Sequence, residues 1–170
     1  DQDMRWNIAV KHVAYGAAGA AARVQAEAVR DPSDRGVRAK LRAETSVPDA
    51  AAKAAAWEKI LGEGYGSLAL TEAAMMGFNW VEQRDLLAPY VDRFFGTVTE
   101  VFRTRDKEFA SYFYRFMAPS YLVERDIYER GEQLVAAEPG IGGDAACDGA
   151  EEVVEPHGVE DGAGAGGLLE

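Results

Sequence analysis

The sequence predicts an all-α fold of stacked antiparallel helix pairs, and three observations carry that reading. No segment of the first 139 residues alternates polar and apolar with period two over a useful length, so no strand is expected. Apolar residues recur instead at steps of three and four, in runs of roughly 9–15 residues broken by short polar turns. Residues 82–116, finally, concentrate large aromatics on two such stripes. Tyr90, Val91, Phe94, Phe95, Val98, Val101 and Phe102 form one face; Phe109, Tyr112, Phe113 and Phe116 form the other. Thr104-Arg105-Asp106 between them offers two N-cap residues, Thr104 and Asp106. Helices joined by so short a turn fold back on each other, and each large aromatic then removes on the order of 150–250 Å² from water. This hairpin is the expected core.

The remaining elements follow in order. Met4, Ile8, Lys11, His12 and Tyr15 keep helical spacing from the start, with little room for a cap, which reads as a chain entering within or just before a helix. Asp1 and Asp3 place negative charge at its amino end. Gly16 to Gly19 stops this helix, and residues 20–30 resume with Val24, Ala28 and Ala21 facing inward. Asp31-Pro32-Ser33-Asp34 is a turn that caps the next helix at Ser33 or Asp34. That helix, over 35–45, rests on Val37 and Leu41. Pro48 is expected in the first turn of the following helix, where its missing N–H costs nothing. The alanine-rich run to Trp57 favours helix strongly, with Ala50, Ala54, Trp57 and Leu61 inward. After a glycine loop at 62–66, Ser67 caps a helix to Gly77 lined by Leu70, Ala73 and Ala74. Asn79 to Glu82 has the spacing of a capping box opening a short helix, and Pro89 heads the long aromatic helix. A last helix over 124–137 aligns Ile127, Tyr128, Gly131, Leu134 and Val135. Eight or nine helices without a clear internal repeat read as a loose HEAT-like or armadillo-like α-solenoid.

Charge divides the chain. The whole carries 29 acids against 18 bases, a net of −11. Residues 140–170 hold 8 of those acids and 9 of the 18 glycines, with no Lys, Arg or aromatic; the first 139 residues keep 21 acids against 18 bases, a net of −3. So little apolar area cannot offset chain entropy, which predicts a helical domain over 1–139 and a disordered acidic Gly/Ala-rich tail over 140–170. Without a basic excess to neutralise phosphates, nucleic acid is not an expected partner. No apolar run approaches the ~18–20 residues of a membrane span, and the acidic opening Asp1-Gln2-Asp3 leads to no expectation of a signal peptide. A single cysteine, Cys147, excludes an internal disulfide and fits a reducing compartment, so a cytoplasmic protein is expected.

Residues that could carry chemistry are few and scattered. Neither His12 nor His157 has a Cys or His at ligand spacing, and HExxH is absent. Cys147 lies in the acidic tail, far from any candidate base. Glu124 with Asp126 and Glu151 with Glu152 are more simply solvated charge than catalytic pairs. Gly16 and Gly19, or Gly62, Gly64 and Gly66, do not complete a phosphate loop. Met75 and Met76 could line a groove but suit a helix core better. No catalytic, cofactor-binding or metal-binding residue is assigned. The residues alone favour a binding or lid module, with a free-standing helical-repeat interaction module as the alternative.

An ordered set of segments then carries a resemblance. Asp1 to Trp6, Ala28 to Gly36, Val47-Pro48, Ala51 to Trp57, Gln83 to Tyr90 with Phe94-Phe95, and Ala118 to Ser120 resemble, in that order, the C-terminal helical domain of zinc aminopeptidases of the aminopeptidase N family, actinobacterial members above all. The resemblance covers roughly residues 1–139. It implies a fragment of a cytoplasmic enzyme that removes N-terminal residues from peptides. In that family the zinc ligands, the catalytic Glu and the loop holding the peptide's amino end all lie upstream, so none transfers to a residue here. The implied role is to close the cavity and limit which peptides enter. Its implied partners are the upstream catalytic domain and, through the shared cavity, the peptide. After Pro139 the family usually continues with a basic amphipathic helix, whereas this chain turns acidic. Without that helix, apolar surface on the 124–137 helix is expected to be exposed and to favour self-association.

Overall fold

The computed structural model describes residues 1–122, 124–138 and 140–141. Among these, every regular element is helical: α1 (Gln2–Ala14), α2 (Ala20–Arg30), α3 (Asp34–Thr45), α4 (Ala50–Leu61), α5 (Leu68–Phe78), a 3₁₀ turn (Val81–Gln83), α6 (Arg84–Leu87), α7 (Pro89–Thr104), α8 (Lys107–Met117) and α9 (Arg125–Ala137). The expected tail lies outside the described residues from position 142 onward. Four helices form a row, α1 against α3, α3 against α5 and α5 against α8. A second set lies along it: α2 on α1 and α3, α4 on α5, α7 on α8.

Short polar side chains set most of the helix starts. Ser33, Asp49, Ser67 and Asp106 each accept a hydrogen bond from the backbone N–H three residues on, satisfying a donor the first turn would leave unpaired. Pro89 occupies the first turn of α7. Three starts differ from expectation. Asp1 does cap α1, its carboxylate accepting from the Asp3 N–H at 3.0 Å. Pro48 stays outside α4, because Asp49 is the better acceptor and takes the cap. Asn79 forms no capping box; its amide donates to the Phe116 and Ala118 carbonyls at 3.0 and 3.1 Å, acceptors that the end of α8 brings within reach.

The aromatic hairpin is the centre of the larger core. Phe94 of α7 stacks on Phe113 of α8 with centroids 5.7 Å apart. Trp57 bridges that pair to Phe78 and Tyr90, at 5.9 Å from Phe113 and 5.2 Å from Tyr90. A second cluster of Trp6, Ala9, Val10, Val24 and Ala43 joins α1, α2 and α3. It corrects the expected face of α1. Met4, Ile8 and Tyr15 are exposed, while Trp6, Ala9, Val10 and Ala14 are buried, because two small alanines let α3 approach where larger residues would not. Ala21 and Val37 likewise face solvent, and Ala50 is exposed while Lys53, Ala56, Trp57 and Ile60 form the buried stripe of α4.

Helices α3 and α5 approach closely at Gly77. A Cβ on Gly77 would lie 2.1 Å from the Thr45 hydroxyl and 2.2 Å from the Arg42 carbonyl oxygen, so only glycine fits. α9 buries none of its residues and leaves Tyr128 and Val135 exposed.

Candidate functional site

The residues weighed for chemistry do not converge. His12 sits half-buried in the last turn of α1, and Glu124 and Asp126 are exposed at the start of α9. Cys147, Glu151, Glu152 and His157 lie outside the described residues. Met75 is buried in the core and Met76 is half-buried. Among the described residues no group of three or more His, Cys, Asp or Glu could hold a metal ion. No described helix is long and apolar enough to cross a membrane.

Polar chemistry gathers instead in two places. The first is a line of amide and ammonium donors along one end of the helix row, buried at Gln83 and Lys53 and half-buried at Asn79. Gln83 donates to the Ala14 carbonyl at 2.7 Å and the Ser46 carbonyl at 2.8 Å, tying the end of α1 to the end of α3. Lys53 donates to Thr45 at 3.1 Å and Phe78 at 2.6 Å, tying α3 to α5. Asn79, just past α5, completes the series by holding the end of α8. These carbonyls are the acceptors a helix leaves unpaired at its C-terminus, so the three side chains replace missing main-chain partners. Burial pulls the Lys53 ammonium down to about 7. The side chain is 0% exposed, which bars it from any substrate and makes it architecture.

The second is an open groove of about 470 Å³ where α1, α3 and α5 meet. Arg35, Arg38 and Arg42 follow steps of three and four on α3, which places all three along one side of the helix. Ala69, Glu72, Ala73 and Met76 give α5 the matching periodic face across the groove, and Trp6 and Val10 contribute from α1. Arg35 pairs with Asp3 at 2.5 Å. Arg42 has a desolvated Nε with no hydrogen-bond partner, and burial lowers its pKa. Trp6 is fixed beneath the groove by donating from Nε1 to Asp31 at 2.8 Å. Hydrogen bonds from Ser33, then Trp6, hold the Asp31 carboxyl at about 2.

Neither place was assigned from sequence. For Lys53 the signal was present, since positions 53, 56, 57 and 60 keep helical steps once a lysine is admitted to the stripe. For the groove, only the arginine spacing was visible; that α5 lies opposite α3 is tertiary information.

Comparison with known proteins gives these observations a context. Residues 1–153 match the family described as ERAP1-like C-terminal domain. Over 140 residues, 82% of this chain, the sequence is 33% identical to an aminopeptidase N of Streptomyces lividans. The chain spans only 16% of that relative's length. The chain belongs to the ERAP1-like C-terminal domain family, the C-terminal domain of aminopeptidase N-like enzymes.

Proposed function

We propose that this chain is the non-catalytic closing domain of a cytoplasmic zinc aminopeptidase, and that it limits which peptides reach a catalytic domain upstream. The family match over residues 1–153 carries the reading, because it corresponds to the C-terminal portion of such enzymes. The helix row supports it physically. Rigid packing at Gly77 and the buried donors at its end suit a wall that must hold its shape around a cavity, as consecutive repeats of an α-solenoid do. Zinc belongs, on this reading, to the upstream domain; among the described residues no group of three or more His, Cys, Asp or Glu could hold a metal ion.

Two further points belong to the same proposal. The helical domain ends near residue 139, with the acidic segment 140–170 a separate region, and limited proteolysis with mass analysis of the stable core tests that division. Self-association would use the exposed Tyr128 and Val135 of α9, measured as a concentration-dependent mass in sedimentation.

The deciding experiment is hydrolysis of leucyl- and alanyl-amide fluorogenic substrates with zinc present. It compares this chain, the separately expressed upstream portion of the parent enzyme, and their mixture. The expected result is silence from this chain and an activity or substrate preference in the mixture that differs from the upstream portion alone. Turnover by this chain alone, or a mixture identical to the upstream portion, overturns the proposal.

A further inference from the structure

The α1–α3–α5 groove holds charge that the described residues leave uncompensated. Three guanidinium groups, Arg35, Arg38 and Arg42, share it with two carboxylates, Asp3 and Glu72. One of those carboxylates is committed to Arg35. Arg38 is exposed and makes no ion pair or hydrogen bond among the described residues. Arg42 is half-buried, and its Nε is sealed from solvent without a partner. Taking a cation partly out of water is unfavourable; the sealed Nε lies out of a ligand's reach, and an anion meeting the other guanidinium nitrogens recovers part of that loss through charge-assisted hydrogen bonds. The excess in the groove is a single positive charge. A monoanion matches it, whereas a phosphate dianion or a polyanion would also confront Asp3 and Glu72.

The rest of the groove describes the body of the ligand. Ala69, Ala73 and Met76 form an apolar strip on α5 beside the arginines, and Ala39 and Val10 continue it. The volume of about 470 Å³ falls in the range of sites that hold small ligands rather than lone ions. Arginine in a planar fork suits a carboxylate in particular. We propose that this groove binds a peptide segment through one side-chain carboxylate, seated on Arg38 and Arg42, with the neighbouring apolar side chain against the α5 strip. The site stands on this chain alone and does not depend on the closing-domain reading, so the failure of one leaves the other intact.

The test is fluorescence anisotropy or calorimetry of the full chain with three short labelled peptides. One is acetylated and amidated, with a single Glu flanked by Leu; the second replaces that Glu by Gln; the third is the Gln peptide with a free C-terminal carboxylate. Saturable binding of the first is expected, at least about tenfold tighter than of the second, as loss of a charge-assisted pair implies. The doubly substituted Arg38→Ala, Arg42→Met chain should lose the same factor while its circular dichroism and melting curve stay close to the parent's; Met keeps the aliphatic volume of the buried arginine stem. Equal binding of the Glu and Gln peptides overturns the proposal. So does full binding by the double variant, or a preference for the free-acid peptide, which would move the site to a terminal carboxylate.

Discussion

Lys53 Nζ lies 2.6 Å from the carbonyl oxygen of Phe78, with the Thr45 carbonyl at 3.1 Å, so one side chain of α4 closes the C-terminal ends of both α3 and α5. The ammonium sits at the negative ends of two helix dipoles, which favours its charged form, while desolvation by burial disfavours it. Burial wins, holding the pKa at about 7 against an ordinary 10.5.

That shift makes a signed prediction about pH. Between about 7 and 10.5 the unfolded chain keeps a proton that the folded chain has released, so stability rises with pH across that window. The gain is at most about 1.4 kcal/mol per pH unit. Half-buried Tyr121, which desolvation raises to about 12, acts in the opposite sense above its ordinary value of 10.0, so the readable range ends below it. Urea unfolding of the parent chain and of Lys53→Met over that range is the measurement. The parent should gain stability relative to the variant as pH rises. Parallel pH profiles would mean that Lys53 does not titrate there.

The space around Gly77, in the contact between α3 and α5, and around Gly96, in α7, predicts opposite effects for two substitutions. Gly77→Ala places a methyl 2.2 Å from the Arg42 carbonyl, a main-chain atom that cannot move without shifting α3. A loss of about 2–3 kcal/mol is expected, at the upper end of overpacking costs. Gly96→Ala, mid-helix in α7 with nothing within 4 Å of its new methyl, should gain about 0.5–1 kcal/mol from reduced unfolded-state entropy. Thermal melts of the two variants test the pair, and a neutral Gly77→Ala would show that the helices are not locked at this point.

Trp6 and Asp31 predict behaviour in acid. The Ser33 and Trp6 hydrogen bonds hold the Asp31 carboxyl at about 2, below its ordinary 3.8. The stability this contributes is complete above 3.8 and is lost as pH falls through about 2. Asp31→Asn cannot change charge, so it should be less stable than the parent near neutrality and should lose less on acidification. Trp6 fluorescence, followed through an acid titration in a Trp57→Phe, Trp80→Phe background, reports the site directly. A variant as acid-sensitive as the parent would remove Asp31 from the account.

Much of the fold was legible because its signals are local. Helix starts follow from single residues such as Ser33, Ser67, Pro89 and Asp106, each acting on its own first turn. The aromatic stripes of α7 and α8 were readable for the same reason. What escaped is set by tertiary packing. Helix α1 carries apolar residues on two faces, and only the position of α3 decides that Trp6 is inside and Met4 outside. Lys53, Glu27 and Gln83 are buried because helix ends or ion pairs meet them there, which no residue within their own segments announces. The groove escaped for that reason too, since its arginines and the apolar strip of α5 lie 27–41 positions apart in the chain, from Arg42 and Ala69 to Arg35 and Met76.

Phe113 and Phe116 separate the two kinds of information. Both belong to the aromatic stripe of α8, three residues apart, and sequence spacing treats them alike. In the structure Phe113 is 0% exposed, stacked between Phe94 and Phe109 and edged by Trp57, whereas Phe116 is half-buried against Tyr112. Truncating Phe113 leaves a cavity that three other rings cannot collapse into without losing their own contacts, so Phe113→Ala should cost about 3–5 kcal/mol. Truncating Phe116 exposes a neighbour and opens no sealed void, so Phe116→Ala should cost less than half as much. Chemical denaturation of both variants gives the ratio. Equal losses would mean that the hairpin buries its stripe evenly, and that the Phe94–Phe113–Trp57 contact is not the centre of the core.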